Sequence, residues 1–81
     1  MISQLSGPNK VVGTKQVRRA LNDGRAKRVF LAGDADLRIT QPLARLAVQK
    51  GVPVEIVAEM RQLGTLCGIS VGSAAAVLLK G

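Results

Sequence analysis

Apolar positions along the chain follow two alternating rhythms: short continuous runs, and longer stretches spaced at helical intervals. Val11-Val12 is a minimal strand. Thr14 then offers an N-cap hydroxyl, Val17, Ala20 and Leu21 fall at i, i+3 and i+4, and Gly24 is a natural stop, which predicts a helix. The run RVFLA, Arg28 to Ala32, closed by Gly33, reads as a strand buried on both faces. A second helix is predicted from about Thr40 to Lys50, with Pro42 near its first turn, Leu43, Leu46 and Ala47 on one face and Gly51 at the stop. VPVEIV, Val52 to Val57, is a further strand, with Pro53 at its start or on a sheet edge. Met60, Leu63 and Cys67 mark a short helix ended by Gly68, and AAAVLL, Ala74 to Leu79, forms a last strand. A short turn around Ser3–Leu5 is expected to be helical. This alternation predicts an α/β protein: a three-layer α/β/α sandwich around a four-stranded mixed sheet, one domain over residues 1–81.

Composition narrows what such a domain does. Twelve Lys and Arg against five Asp and Glu leave a net charge of +7, which favours an anionic partner such as nucleic acid or a membrane surface. The chain has no His, so the commonest general base and metal ligand is missing. Cys67 alone forms neither an internal disulfide nor a zinc cluster, which suits a reducing cytoplasm. No signal peptide is apparent, and no apolar run approaches the roughly 18–20 residues of a membrane span. Phe30 is the sole aromatic residue and belongs to an apolar run, so base stacking on exposed rings is excluded. Any nucleic acid is read by shape, charge and a few base edges.

Four stretches are candidates for chemistry. On the first long helix, Lys15 and Arg19 lie opposite the apolar stripe, flanked by Gln16. A cation at a helix start opposes the backbone dipole, and like charges at i, i+4 repel, each at a cost of a few tenths of a kcal/mol. Both penalties reverse when a phosphate or an electronegative base edge docks there; otherwise this is a solvated face. GPNKVVGTK has five residues between its glycines and ends Gly-Thr-Lys, so it is not a P-loop, which needs four and Gly-Lys-Ser/Thr. Asp34 and Asp36 lack a third acid for a magnesium site, and a strand-to-helix turn uses Asp routinely. In CGISVGS, Ile69 has a ready account as the apolar contact of a helix C-cap, but Val71 does not. Val71 on a loop beside a basic helix has the chemistry to cover an unstacked base, or belongs to the core.

GTKQVRRAL, VFLAGDAD, PVEIV and LGTLCGISVGSAA together resemble the kink-turn-binding ribosomal protein family, the L-seven-Ae type, in its short bacterial form. The resemblance runs from about Val11 to Leu79, and Leu63-Gly64 followed by Cys67-Gly68 is its most specific part. It implies a non-enzymatic RNA-binding domain, without cofactor or metal, that recognises kink-turns: sharply bent internal loops with tandem sheared G·A pairs, in structured and expectedly ribosomal RNA. The RNA-binding positions it implies are Gly13, Thr14, Lys15, Gln16 and Arg19 at the helix start, Asp36, and Ile69, Ser70 and Val71 in the loop after the last helix. Lys15-Gln16 replaces the family's frequent Asn-Glu, and Leu37 and Met60 stand where a proline and a basic residue are frequent. A cytoplasmic monomer is expected. The rival readings are a protein-interaction module of the same fold, or a general basic duplex-binding protein.

Overall fold

The computed structural model describes residues 9–80. Four strands, β1 (Lys10–Val12), β2 (Ala26–Ala32), β3 (Val54–Val57) and β4 (Ala75–Leu79), alternate with three helices, α1 (Thr14–Asn22), α2 (Leu37–Gln49) and α3 (Met60–Leu66). The sheet order is β1-β4-β2-β3, with β4 antiparallel to both neighbours and β2 parallel to β3. The expected α/β class and mixed four-stranded sheet are observed. The turn expected around Ser3–Leu5 lies outside the described residues.

Side chains alternate across the two central strands and so build two cores. Val29 and Leu31 of β2 and Ala75 and Val77 of β4 meet Val17, Ala20 and Leu21 of α1 and Leu43 and Ala47 of α2. Phe30 and Ala32, with Ala76 and Leu78, meet Leu63 and Cys67 on the other face. Thus α1 and α2 cover one face and α3 the other. Phe30 is 1% exposed, as its place in an apolar run predicts.

Each helix ends on a glycine with positive φ: Gly24 (73°), Gly51 (69°) and Gly68 (78°). In each case two amides turn back onto the last turn, as in Ile69 N–H to the Gly64 carbonyl and Gly68 N–H to that of Thr65. The three stops read from sequence are therefore the three stops of the fold.

Helix α3 begins at Met60 as expected, but the starts of α1, α2 and β3 differ from expectation. Thr14 is not the N-cap of α1; Gly13 is, with φ 110° and ψ 147°, and no side chain caps the helix. Leaving β1 requires positive φ at this point, which moves the cap onto glycine and Thr14 into the first helical position. Helix α2 begins at Leu37, one turn before Thr40, because the Asp36 carboxylate accepts the Arg38 amide at 2.9 Å and caps it there. Pro42 consequently lies inside the helix, on an exposed position near its start. Strand β3 starts at Val54, two residues later than expected; Pro53 precedes it and its carbonyl accepts the Val29 amide.

Gly64 decides where the α3–β4 loop runs. A Cβ on Gly64 would collide with the Val71 carbonyl, so the loop lies directly against α3 only because that side chain is absent. Gly64→Ala should lower stability by about 1–3 kcal/mol, the usual cost of overpacking against backbone. Gly24→Ala, with open space around its Cβ but φ of 73°, should cost about 1–2 kcal/mol from backbone strain alone. Chemical denaturation of both variants checks this, and only Gly64→Ala should also perturb amide shifts at residues 69–73.

Candidate nucleic-acid interface

The strand directions bring four connections to one edge of the sheet: Gly13 after β1, residues 33–36 after β2, residues 58–59 after β3, and the α3–β4 loop before β4. Open α/β sheets place ligands at the carboxyl ends of their parallel strands, and this edge holds the ends of β2 and β3.

Two of these connections share one acceptor. The Ala75 carbonyl receives the Gly13 amide at 3.0 Å and the hydroxyl of buried Ser73 at 2.7 Å. The start of α1 is thereby fixed next to the exit of the α3–β4 loop. Further back, the Ser73 amide donates to the Met60 carbonyl at 3.0 Å, and Gly72 lies so close to Met60 that a Cβ there would be a tight contact. Both ends of the loop are held, and its middle is turned outward. Val71 is 68% exposed, so the core alternative for it is excluded. Ile69 forms the expected C-cap through its amide, but the capping partner position is Gly64, which has no side chain, and Ile69 stays 36% exposed.

On α1, Lys15, Gln16 and Arg19 are exposed while Val17, Ala20 and Leu21 are buried, as the helical spacing requires. Thr14 is half-buried. Its first turn holds no acid and receives no side-chain cap, so the dipole's positive end and the Lys15 ammonium add. Arg18 also borders the shallow depression formed by Lys15, Arg19, Asn22 and Asp23. The edge thus offers cationic and amide donors beside exposed Ile69, Ser70 and Val71. That combination suits a partner with both anionic oxygens and an exposed apolar or π face.

The acids of the edge serve the protein. Asp34 Oδ1 accepts the Met60 amide at 2.7 Å, tying the β2–α2 turn to the start of α3, which agrees with its structural reading. Asp36 caps α2 and pairs with Arg38 Nη2 at 2.7 Å. Hydrogen bonds from the Arg38 side chain, then its amide, hold the Asp36 carboxyl below its ordinary value and raise Arg38 in turn. With the Arg38 side chain 90% exposed, the pair orients Asp36 and adds little stability. Asp36 remains at the edge, with Leu37 beside it 62% exposed.

Sequence reasoning singled out Gly64 within the family motif but not its packing role, and it assigned none to Gly72, which lets the loop lie on α3, or to Ser73, which ties it to Ala75. None has a local pattern, since each acts on backbone distant in sequence. Nucleophilic chemistry has no support here. Cys67 is buried, and burial pushes its thiol up against a smaller opposing effect of the Lys10 charge. Among the described residues no group of His, Cys, Asp and Glu is placed to hold a metal, and no helix is long and apolar enough to cross a membrane.

The sequence model of the "Ribosomal protein L7Ae/L30e/S12e/Gadd45 family" matches residues 4–81. The chain belongs to this family. It is 46% identical over 70 residues to "RNA-binding protein GK0100" of Geobacillus kaustophilus, covering 86% of this chain and 85% of that protein. It is 38% identical over 68 residues to "Large ribosomal subunit protein eL8" of Halobacterium salinarum, covering 83% of this chain but 57% of that longer protein. The solved structure of the Giardia lamblia 15.5kD RNA binding protein superposes with a TM-score of 0.90 at 28% identity, over 99% of this chain and 68% of that one.

The Asp36–Arg38 pair predicts a pH signature. Because the folded carboxyl sits below its ordinary 3.8, its contribution to stability is present above that value and is lost as pH falls through the lower folded one. Carboxyl-carbon NMR titration should place the Asp36 midpoint below 3.8, and Arg38→Ala should move it upward. A midpoint unmoved by Arg38→Ala would sink this assignment.

Proposed function

We propose that the protein is an RNA-binding protein that recognises and stabilises kink-turns in structured RNA, with ribosomal RNA as the expected class, and that it acts as a cytoplasmic monomer. The observation carrying this is the shared Ala75 carbonyl, which sets an uncapped, cationic helix start against an outward-facing apolar loop. Similarity to proteins named for RNA binding, and to a large-subunit ribosomal protein, supports the same reading.

A-form RNA hides its base edges in a deep, narrow major groove, and a kink opens that groove. Lys15 then donates to guanine O6 and N7, and Gln16 and Arg19 donate to base or backbone oxygens. The free amides of the first helical turn, with Gly13 and Thr14 at its start, favour an approaching phosphate. Ile69 and Val71 cover the bulged-nucleotide side, with Ser70 supplying a hydroxyl, and the Asp36 carboxylate accepts from an exocyclic amine or ribose hydroxyl. Replacing the frequent Asn-Glu by Lys15-Gln16 removes a carboxylate and adds a cation, which makes affinity more dependent on salt.

Titration of a kink-turn RNA and an equal-length paired duplex at two salt concentrations tests the reading. The kink-turn should bind more tightly, with log K falling against log salt at a slope of roughly −3 to −4 for about four neutralised phosphates. Lys15→Ala should cost about 1–3 kcal/mol of kink-turn affinity and reduce the preference over duplex. The same change removes a cation from a positive helix end, so the free protein should gain about 0.3 kcal/mol of stability. Equal affinity for both RNAs would falsify kink-turn recognition.

Val71→Ser separates the loop from the helix. It should weaken kink-turn binding while leaving the melting temperature nearly unchanged, because the side chain is already exposed in the free protein. Undiminished binding would remove Val71 from the interface.

A further inference from the structure

Positive charge is not concentrated at the kink-turn edge. Three of the five acids, Asp34, Asp36 and Glu59, lie there and Glu55 pairs with Arg28 within the sheet, which leaves Asp23 for the opposite pole. That pole carries Arg25 before β2, Lys27 at the start of β2, Lys50 at the end of α2 and Lys80 after β4, all exposed. Strand pairing gathers three of them: Ala26 pairs with Leu79, and the Lys80 amide donates to the Arg25 carbonyl at 2.8 Å.

Lys27 is placed there by an irregularity. The register passes from Ala26↔Leu79 to Arg28↔Leu78, so Lys27 is the extra residue of a β-bulge. Bulges re-aim a side chain at a sheet end, and here the side chain re-aimed is a cation. Lys50 also has a structural role, since a cation near a helix C-terminus complements the dipole. No such account covers Lys27 or Lys80, which sit on strand ends and make no ion pair among the described residues. Arg25 approaches Asp23 at 3.6 Å with both side chains half exposed, a contact too weak to neutralise the group.

We propose that this pole is a second RNA contact, which holds the phosphate backbone of a neighbouring A-form helix while the opposite edge holds the kink-turn. The proposal rests on the RNA-binding reading above. A row of lysine and arginine heads with no aromatic residue can take phosphates but has no means of stacking bases. Of the exposed large hydrophobic residues, Val48 alone lies toward this pole, whereas Leu37, Met60, Ile69 and Val71 cluster at the other. Seven residues of β2 separate the two by about 20 Å, more than twice the roughly 8 Å Debye length at physiological salt. The poles therefore act independently, and the protein bridges two RNA segments.

The test uses an equimolar complex of the protein with a kink-turn RNA of minimal stems, titrated with a labelled, fully paired RNA duplex. The duplex should join as a third component, and K27E/K80E should weaken its binding by about tenfold or more. Kink-turn affinity of K27E/K80E should stay within about twofold, which also shows that the variant is folded. R45E/R61E, with the same change in net charge, should weaken duplex binding far less. A duplex that does not join the complex, or that binds K27E/K80E and R45E/R61E alike, overturns the proposal. Failure of the kink-turn reading looks different: free protein would bind kink-turn and duplex equally, while the K27E/K80E effect on duplex binding persisted.

Discussion

The Ala75 carbonyl is the point on which the functional edge depends. A strand-end carbonyl with two lone pairs here accepts one donor from each of two connections, Gly13 from the β1–α1 turn and Ser73 from the α3–β4 loop. Sequence separates those donors by most of the chain, and the sheet order β1-β4-β2 returns them to the same place. The start of α1 and the exit of the loop take their positions from this junction. The helix start cannot shift without releasing Gly13, and the loop cannot lift without releasing a buried hydroxyl, whose loss costs on the order of 1 kcal/mol or more.

The loop would still be loose if it were held only at its exit. Gly64 and Gly72 remove the side chains that would keep it off α3, and the Met60 backbone takes part at both ends: its amide donates to Asp34 and its carbonyl accepts from Ser73. The β2–α2 turn, α3 and the loop are therefore one connected unit. Rigid backbone with outward apolar side chains lowers the entropy lost on binding, since Ile69 and Val71 need little ordering beyond their own rotamers. The energetic cost appears on α1 instead, where an uncapped first turn faces Lys15 and Lys15 faces Arg19. A surface that is electrostatically unfavourable when free and relieved by an anion gains its affinity from that difference.

What the sequence discloses follows from the range of each interaction. Glycine stops at 24, 51 and 68 and the buried stripes on α1, β2 and β4 are local patterns, and all of them stand in the fold. The α3 start at Met60 also stands, whereas the starts of α1 and α2 are less legible because two residues compete for each cap. At α1 the backbone turn out of β1 favours Gly13 over Thr14, and at α2 a capping Asp36 outweighs the boundary that Pro42 suggests. The resemblance to the family names Lys15, Gln16 and the 69–71 loop, and all five of these residues are exposed. The contacts that hold the loop were invisible, because Gly64 meets Val71 and Asp34 meets Met60 only after the chain has folded.

Charge shows the same limit from the other side. A net +7 says that an anion is the partner, but total charge carries no direction. Direction comes from topology: acids are drawn to the edge where turns and a helix start need carboxylates to hold backbone amides, as Asp34 and Asp36 do. The opposite pole is closed by glycine-ended helices, whose last carbonyls accept backbone amides, so a carboxylate, itself an acceptor, has no helix end to cap there. Lys27 and Lys80, placed there, make no ion pair among the described residues. The asymmetry between the two ends of the sheet is thus a consequence of how each end terminates its helices, and it leaves the recognition edge mixed in charge and the far pole predominantly basic.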